Sequence, residues 1–167
     1  GNQGHTYGLS LWLPFHGTGT GSREISPYLL RSTLVTSFTA CFDVRRKDLD
    51  YEMIRRVLSQ WKQYASYYFG DYYPLTAYSL DQTAWMAWQF DVPEKGEGLV
   101  QAFRRVESVY EAARFNLRGL DPGTEYVLTN LDSGESQTLT GHDLLDNGLT
   151  VAIAEQPGSA VITYKKK

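Results

Sequence analysis

The chain has 167 residues, 42% of them hydrophobic and 21% charged, which fits one compact domain or two small ones around an apolar core. Sixteen Lys and Arg stand against nineteen Asp and Glu, a net charge of −3, and no basic face stands out, so no nucleic-acid partner is expected. The single Cys41 excludes an intrachain disulfide framework and a thiolate zinc cluster.

No apolar run approaches the roughly 20 residues that a membrane helix needs, so no membrane partner is expected either. The terminal Lys165-Lys166-Lys167 reads as a solvated end. The chain opens at Gly1 without a Met, as a cut piece would. The lack of a leader therefore says little about location, and a cytoplasmic parent is the expectation. Aromatics reach 14%, with twelve Tyr and four Trp, mostly before residue 91. Such side chains pair a large apolar face with a polar handle and suit packing layers or platforms for sugar rings.

In chain order, residues 5–15 read as a strand, with Leu9, Leu11 and Leu13 alternating and Pro14 stopping it. Gly17, Gly19 and Gly21, interleaved with Thr18, Thr20 and Ser22, then read as a flexible loop. The glycine spacing is not a nucleotide fingerprint, since no third-glycine spacing and no Lys-Ser/Thr pair accompanies it. Ser26 caps a helical turn with Pro27 in its first position. Residues 38–44 follow as a buried strand. Asp48 is the predicted cap of a helix whose face runs Leu49, Met53, Val57, Trp61, Ala65 and Tyr68 and which ends near Phe69, with Gly70 as its stop. Strand, loop, helix, strand, helix is the rhythm of parallel α/β structure.

From about residue 84 the period changes to two. Met86, Trp88, Phe90 and Val92 alternate, and strand candidates continue at 99–106, 112–118, 125–131, 137–140, 148–154 and 159–165. Pro93–Gly98, Asp121-Pro122-Gly123, Asp132-Ser133-Gly134, Asp146-Asn147-Gly148 and Gln156-Pro157-Gly158 supply the turns. The pattern predicts an antiparallel β-sandwich, with residues 141–146 as one helical turn crossing between its sheets.

Chemistry is expected at the carboxyl ends of the parallel strands. One end offers Trp12, Phe15 and His16, the other Cys41, Asp43 and Arg45. Asp43 reads either as a site carboxylate or as the partner of Arg45 or Arg46, and His16 either lines a cleft or is merely exposed. Cys41, in an apolar run, reads as an inert buried thiol. His5, His16 and His142 share no metal-ligand spacing, so no metal is expected. Asp43, Asp71 and Asp91 fall on different elements, and nothing in the spacing brings any two of them together. No serine sits in a nucleophile elbow, and no complete catalytic constellation is present.

Four segments carry a resemblance. Tyr7-Gly8-Leu9-Ser10-Leu11-Trp12-Leu13-Pro14-Phe15-His16-Gly17-Thr18-Gly19, Gly70-Asp71-Tyr72-Tyr73-Pro74-Leu75-Thr76, the run 81–90 and the run 96–105 resemble the late part of family 36 α-galactosidases (melibiases). The resemblance implies an α+β chain. Residues 1–79 would be the C-terminal end of a (β/α)₈ catalytic barrel, about two βα units, and 80–167 an antiparallel sandwich joined to it. It also implies a retaining glycosidase whose nucleophile and acid/base lie upstream of Gly1, so that no catalytic residue is assigned here. Trp12, His16 and Asp43 are the substrate-binding candidates, the partner is carbohydrate by way of the parent enzyme, and no cofactor is expected. A carbohydrate-binding or structural accessory sandwich is the alternative, separated by whether Trp85 or Trp88 stays exposed. A barrel cut to two units would leave open edges, and self-association is expected from it.

Overall fold

The computed structural model describes residues 1–13, 15–21 and 23–167. Pro14, the expected strand stop, and Ser22 of the glycine loop lie outside the described residues. The first element is a helix, α1 (Asn2–Leu9), and not the strand predicted over 5–15. Gln3, Thr6 and Tyr7 are its buried residues, a helical spacing, whereas Leu11 and Leu13 of the leucine alternation are exposed. With no neighbouring strand paired to this stretch among the described residues, its amides find partners within the segment, as in Trp12 N–H to Leu9 O at 3.0 Å.

The parallel pairing expected of the N-terminal half is made by β1 (Gly19–Thr20) and β2 (Thr39–Ala40), joined through α2 (Pro27–Thr33). The strand therefore falls in the glycine stretch that read as a flexible loop. A Cβ on Gly17 would stand 2.1 Å from Ser37 Oγ, and one on Gly19 2.3 Å from Cys41 Sγ. Alternate glycines let the two backbones close up. Ser26 caps α2 as expected, accepting from Leu29 N at 3.2 Å. The strand predicted over 38–44 shrinks to two exposed residues, and Cys41 is exposed instead of buried.

Helix α3 (Tyr51–Tyr64) continues as a 3₁₀ turn over Ala65–Phe69. Of the predicted face Met53, Val57 and Tyr68 are buried, with Ile54 and Tyr64 beside them, while Leu49, Trp61 and Ala65 are half-buried. The cap is Asp50, which accepts from Met53 N at 2.8 Å, and not Asp48, whose carboxylate is engaged by Arg46. Gly70 closes the turn in extended backbone, where a Cβ would lie 2.1 Å from Asp91 O.

Eight strands follow: β3 (Asp71–Pro74), β4 (Met86–Val92), β5 (Glu97–Arg104), β6 (Ala112–Phe115), β7 (Glu125–Asn130), β8 (Ser136–Thr140), β9 (Leu149–Ala152) and β10 (Gly158–Lys166). Six of them form an antiparallel sheet in the order β3-β4-β5-β10-β7-β8, and β6 pairs with β9 in a second sheet. A helical turn at Asp143–Asn147 crosses from β8 to β9, as predicted. One face of the large sheet packs Ala87, Val100, Leu128, Ile162 and Tyr164 on Phe115, Leu149 and Val151 of the small one. The other face packs Met86, Trp88, Phe90 and Phe103 on Tyr7, Val35, Tyr64 and Tyr68. The large sheet is thus the middle layer, and a period-two strand with both sets of residues buried reads as continuous burial in β4 and β5.

The layers are tied by polar groups as well. Arg31 of α2 gives both terminal nitrogens to Asp132 beyond β7, at 2.5 and 2.8 Å, and also reaches Ser159 O and Gln60 Oε1. Gln60 Nε2 in turn donates to Leu131 O at 2.7 Å.

Candidate functional site

A cleft of about 300 Å³ opens where the turn after α1, the segment before β2 and the start of β3 meet. Trp12, His16, Thr36, Asp71 and Tyr72 line it, with Tyr68 and Phe90 of the middle layer behind them. Of the three predicted substrate-binding residues, the cleft contains Trp12 and His16. Asp43 is not among its lining residues; its carboxylate takes a bidentate hold on the exposed Arg45, at 2.9 Å from both Nε and Nη2. That pairing holds the Asp43 carboxyl below the usual carboxylate range, with a backbone amide of Arg45 adding to it.

Trp12 is 83% exposed and presents its ring to solvent. His16 is fixed from several sides. Its Nε2 lies 3.0 Å from Ser10 Oγ, its backbone N–H donates to Thr36 Oγ1 at 3.2 Å, and its carbonyl accepts from the same hydroxyl at 2.9 Å. Burial pushes the imidazole below its ordinary pKa, so the ring is neutral at pH 7. Its Nδ1 is buried without a partner among the described residues. An exposed indole beside a neutral imidazole can receive an uncharged, hydroxyl-bearing ligand. Phe15 and Phe69, chain neighbours of the lining residues His16 and Gly70, pack against each other with ring centroids 5.2 Å apart.

Asp71 is the residue that spacing missed. The β3–β4 register sets it directly opposite Asp91, so two of the three aspartates expected to stay apart are cross-strand neighbours. They do not straddle the cleft, because Asp91 is buried toward the sandwich interior, where Tyr164 donates to its Oδ1 at 2.6 Å. Gly98 stands between Asp91 and Tyr164 in the register, and a Cβ there would lie 2.2 Å from the Tyr164 hydroxyl. Glycine at this position lets the ring lie across the strand to reach the carboxyl.

Burial raises the Asp91 pKa, the Tyr164 hydrogen bond opposes the rise, and Asp71 and Glu94 add to it. The carboxyl's second oxygen, Oδ2, has no partner. Because the folded pKa is above the unfolded one, this group's contribution is full below the unfolded pKa and is lost as pH rises through the folded value. At neutral pH the half-partnered carboxylate costs stability. Asp91→Asn keeps an oxygen for Tyr164 and removes the charge, so it is expected to stabilise at pH 7 by about 1 kcal/mol. The gain should shrink as the pH falls toward about 4. Thermal melts across that range check it, and a lower melting temperature at pH 7 would refute it.

The aromatic residues that could mark a sugar platform on the sandwich divide. Trp88 is fully buried, donating to Gln101 Oε1 at 2.8 Å. Trp85 is half-buried against Phe115, its Nε1 bound to Tyr110 O. Among the described residues no three His, Cys, Asp or Glu side chains gather as a metal site would need.

Residues 85–163 match the family model of the glycosyl hydrolase family 36 C-terminal domain. No curated protein matches the chain. Among solved structures it is similar to the galactosidase domain of the α-galactosidase–sucrose kinase AgaSK, with a TM-score of 0.73 and 19% identity over 99% of this chain and 24% of that one. It is also similar to the family 36 α-galactosidase AgaA of Geobacillus stearothermophilus, solved as a substituted form with raffinose, at TM-score 0.76 and 20% identity over 99% and 24%. A second AgaA structure, with 1-deoxygalactonojirimycin, gives 0.62 and 22% over 78% and 18%. At these identities the likeness is one of fold, and the chain spans about a quarter of the length of the first two. The resemblance of this chain to the C-terminal part of a family 36 enzyme, stated from its residues, is borne out by the match and the neighbours.

Proposed function

We propose that the chain is the C-terminal part of a retaining α-galactosidase-like glycoside hydrolase whose parent hydrolyses terminal α-galactosides, and that this part alone is inactive. The observation that carries the reading is the family match over residues 85–163. The parallel β1–α2–β2 unit upstream of the matched domain supports reading residues 1–79 as the end of a (β/α)₈ barrel and 80–167 as its C-terminal sandwich. Trp12 and His16 then belong to the wall of the sugar cleft. Asp43 follows the carboxyl end of β2, the end at which barrel ligands sit. A retaining glycosidase sets two carboxyls about 5–5.5 Å apart across the scissile bond. The cleft is lined by one, Asp71. The experiment is to incubate the purified chain and the product of the full reading frame with p-nitrophenyl α-galactoside. Turnover by the full product alone is expected; its absence from both would refute the reading.

The same reading makes the isolated chain self-associate. Leu11, Trp12 and Leu13 are exposed along the cleft, and Phe15 and Phe69, packed on each other, are exposed as well. Apolar patches of this kind are rare on monomers. The two-residue strands β1 and β2 have no further partner strand among the described residues. Light scattering at high concentration is expected to give a mass above the monomer's, lowered by Trp12→Ser with Phe69→Ser. A sharp monomer peak for the unaltered chain would overturn it.

A further inference from the structure

The two sheets of the sandwich are unequal, six strands against two, and the uncovered end of the large one is not apolar. A cleft of about 540 Å³ lies there, between β7, β8 and β9. Its floor is Leu128, Val151 and Ile162. The register puts Gln137 opposite Leu128 and Asn130 opposite Ile162, on the face that carries the core. Period-two alternation would place apolar residues at both positions if a strand covered them. They carry primary amides instead. Neither amide nitrogen has a hydrogen-bond partner among the described residues, and the Asn130 oxygen accepts from the Asp132 backbone N–H at 2.9 Å. Opposite them is the free edge of β9. Since Ile153 N–H bonds Glu111 O, the antiparallel alternation turns the backbone groups of Thr150 and Ala152 away from β6, toward that edge.

From this lining we infer that the inter-sheet cleft is a second binding site, for a neutral saccharide. The volume falls within the range of small-molecule sites. The Asn130 and Gln137 side chains, with the backbone groups of Thr150 and Ala152 at the β9 edge, offer both donors and acceptors, as sugar hydroxyls require. The lining holds no cation and one carboxylate, Glu135, which disfavours phosphates and other anions. An added peptide strand fits less well. Its inward side chains would cover the Asn130 and Gln137 amides without partners, and buried polar groups left so are costly. The cleft lies on the opposite face of the large sheet from Trp12 and His16, so occupancy here is independent of the barrel reading.

The test is a ¹⁵N NMR titration of the chain with raffinose and, separately, methyl α-galactoside. Saturable shifts are expected at the Asn130 and Gln137 side-chain amides and at the Thr150 and Ala152 backbone amides. Gln137→Ala, at an exposed position, and Asn130→Asp, which keeps the oxygen that Asp132 N–H uses, should each weaken binding about 2- to 10-fold, one hydrogen bond's worth, with the melting temperature of Gln137→Ala unchanged. Shifts confined to the Trp12 and His16 cleft, linear shifts without saturation, or unchanged affinity in both variants would overturn the site. So would saturable binding there of an alternating Thr-Val hexapeptide with no response to either sugar.

Discussion

Asp132→Ala is expected to be among the most destabilising single changes outside the apolar core, at about 3 kcal/mol. Arg31 is almost wholly buried, with a side-chain exposure of 2%, while Asp132 is 42% exposed. Removing the carboxylate leaves a guanidinium deep between α2 and the sheet with Ser159 O, a long contact to Ser159 Oγ and Gln60 Oε1 to receive it among the described residues. Water can enter from the Asp132 side, which keeps the loss near the lower end of the range for broken buried pairs. For a chain of this size that is roughly 6–12 °C in melting temperature. Arg31→Met should cost less, because the charge it strands belongs to the partner that solvent already reaches. Urea denaturation of both variants reads the order, and an Arg31→Met loss larger than that of Asp132→Ala would reject the account. The tie has a bearing on the cleft. Thr36, which holds His16 through both its N–H and its carbonyl, follows α2 by three residues. The hairpin beyond β7, through Arg31 and Gln60, therefore helps to fix the segment that leads into the cleft.

That tie could not be read from spacing, since its partners are 101 residues apart. What could be read was whatever repeats locally. Helix α3 shows because five buried residues recur at helical intervals, and the sandwich shows because alternating runs are separated by Asp/Asn/Pro-Gly turns. Gly96, Gly134 and Gly148 all take left-handed backbone at such turns. The leucine alternation at 9, 11 and 13 misled for the opposite reason. Period two signals a strand only where a neighbouring strand buries one face, and here Leu11 and Leu13 meet solvent. Strand β3 went unread because four residues ending in Pro74 give too short a period, although Asp71-Tyr72-Tyr73-Pro74 makes a sound edge strand. For the site, aromatic and imidazole chemistry near one loop was enough to indicate Trp12 and His16. The pairing of Asp71 with Asp91 comes from sheet register, which depends on how strands pair and leaves no trace in either strand alone.

The isolated chain is expected to release no measurable p-nitrophenol from p-nitrophenyl α-galactoside. Hydrolysis with retention needs a nucleophile on one side of the anomeric carbon and a proton donor on the other. Among the aspartates at hand, Asp43 is held by Arg45 in solvent, Asp71 lies on the cleft margin and Asp91 is buried behind it in the sandwich. Asp71 and Asp91 are paired in register, but Asp91 is turned inward to Tyr164 while Asp71 is exposed, so the two carboxyls do not share a space that a sugar could enter. His16, neutral, hydrogen-bonded to Ser10 and with its other ring nitrogen buried, is no substitute for a carboxyl pair. Positioned acid–base catalysis alone contributes about 10²- to 10⁴-fold. Forgoing the covalent intermediate removes a further large factor. Together these put any residual rate at the level of the uncatalysed reaction, even if Trp12 and His16 retain weak sugar affinity. Asp43→Asn and Asp71→Asn serve as the decisive controls. Turnover that is present in the unaltered chain and disappears in either variant would mean that the chain carries its own active site, and the division of labour with an upstream barrel would fall.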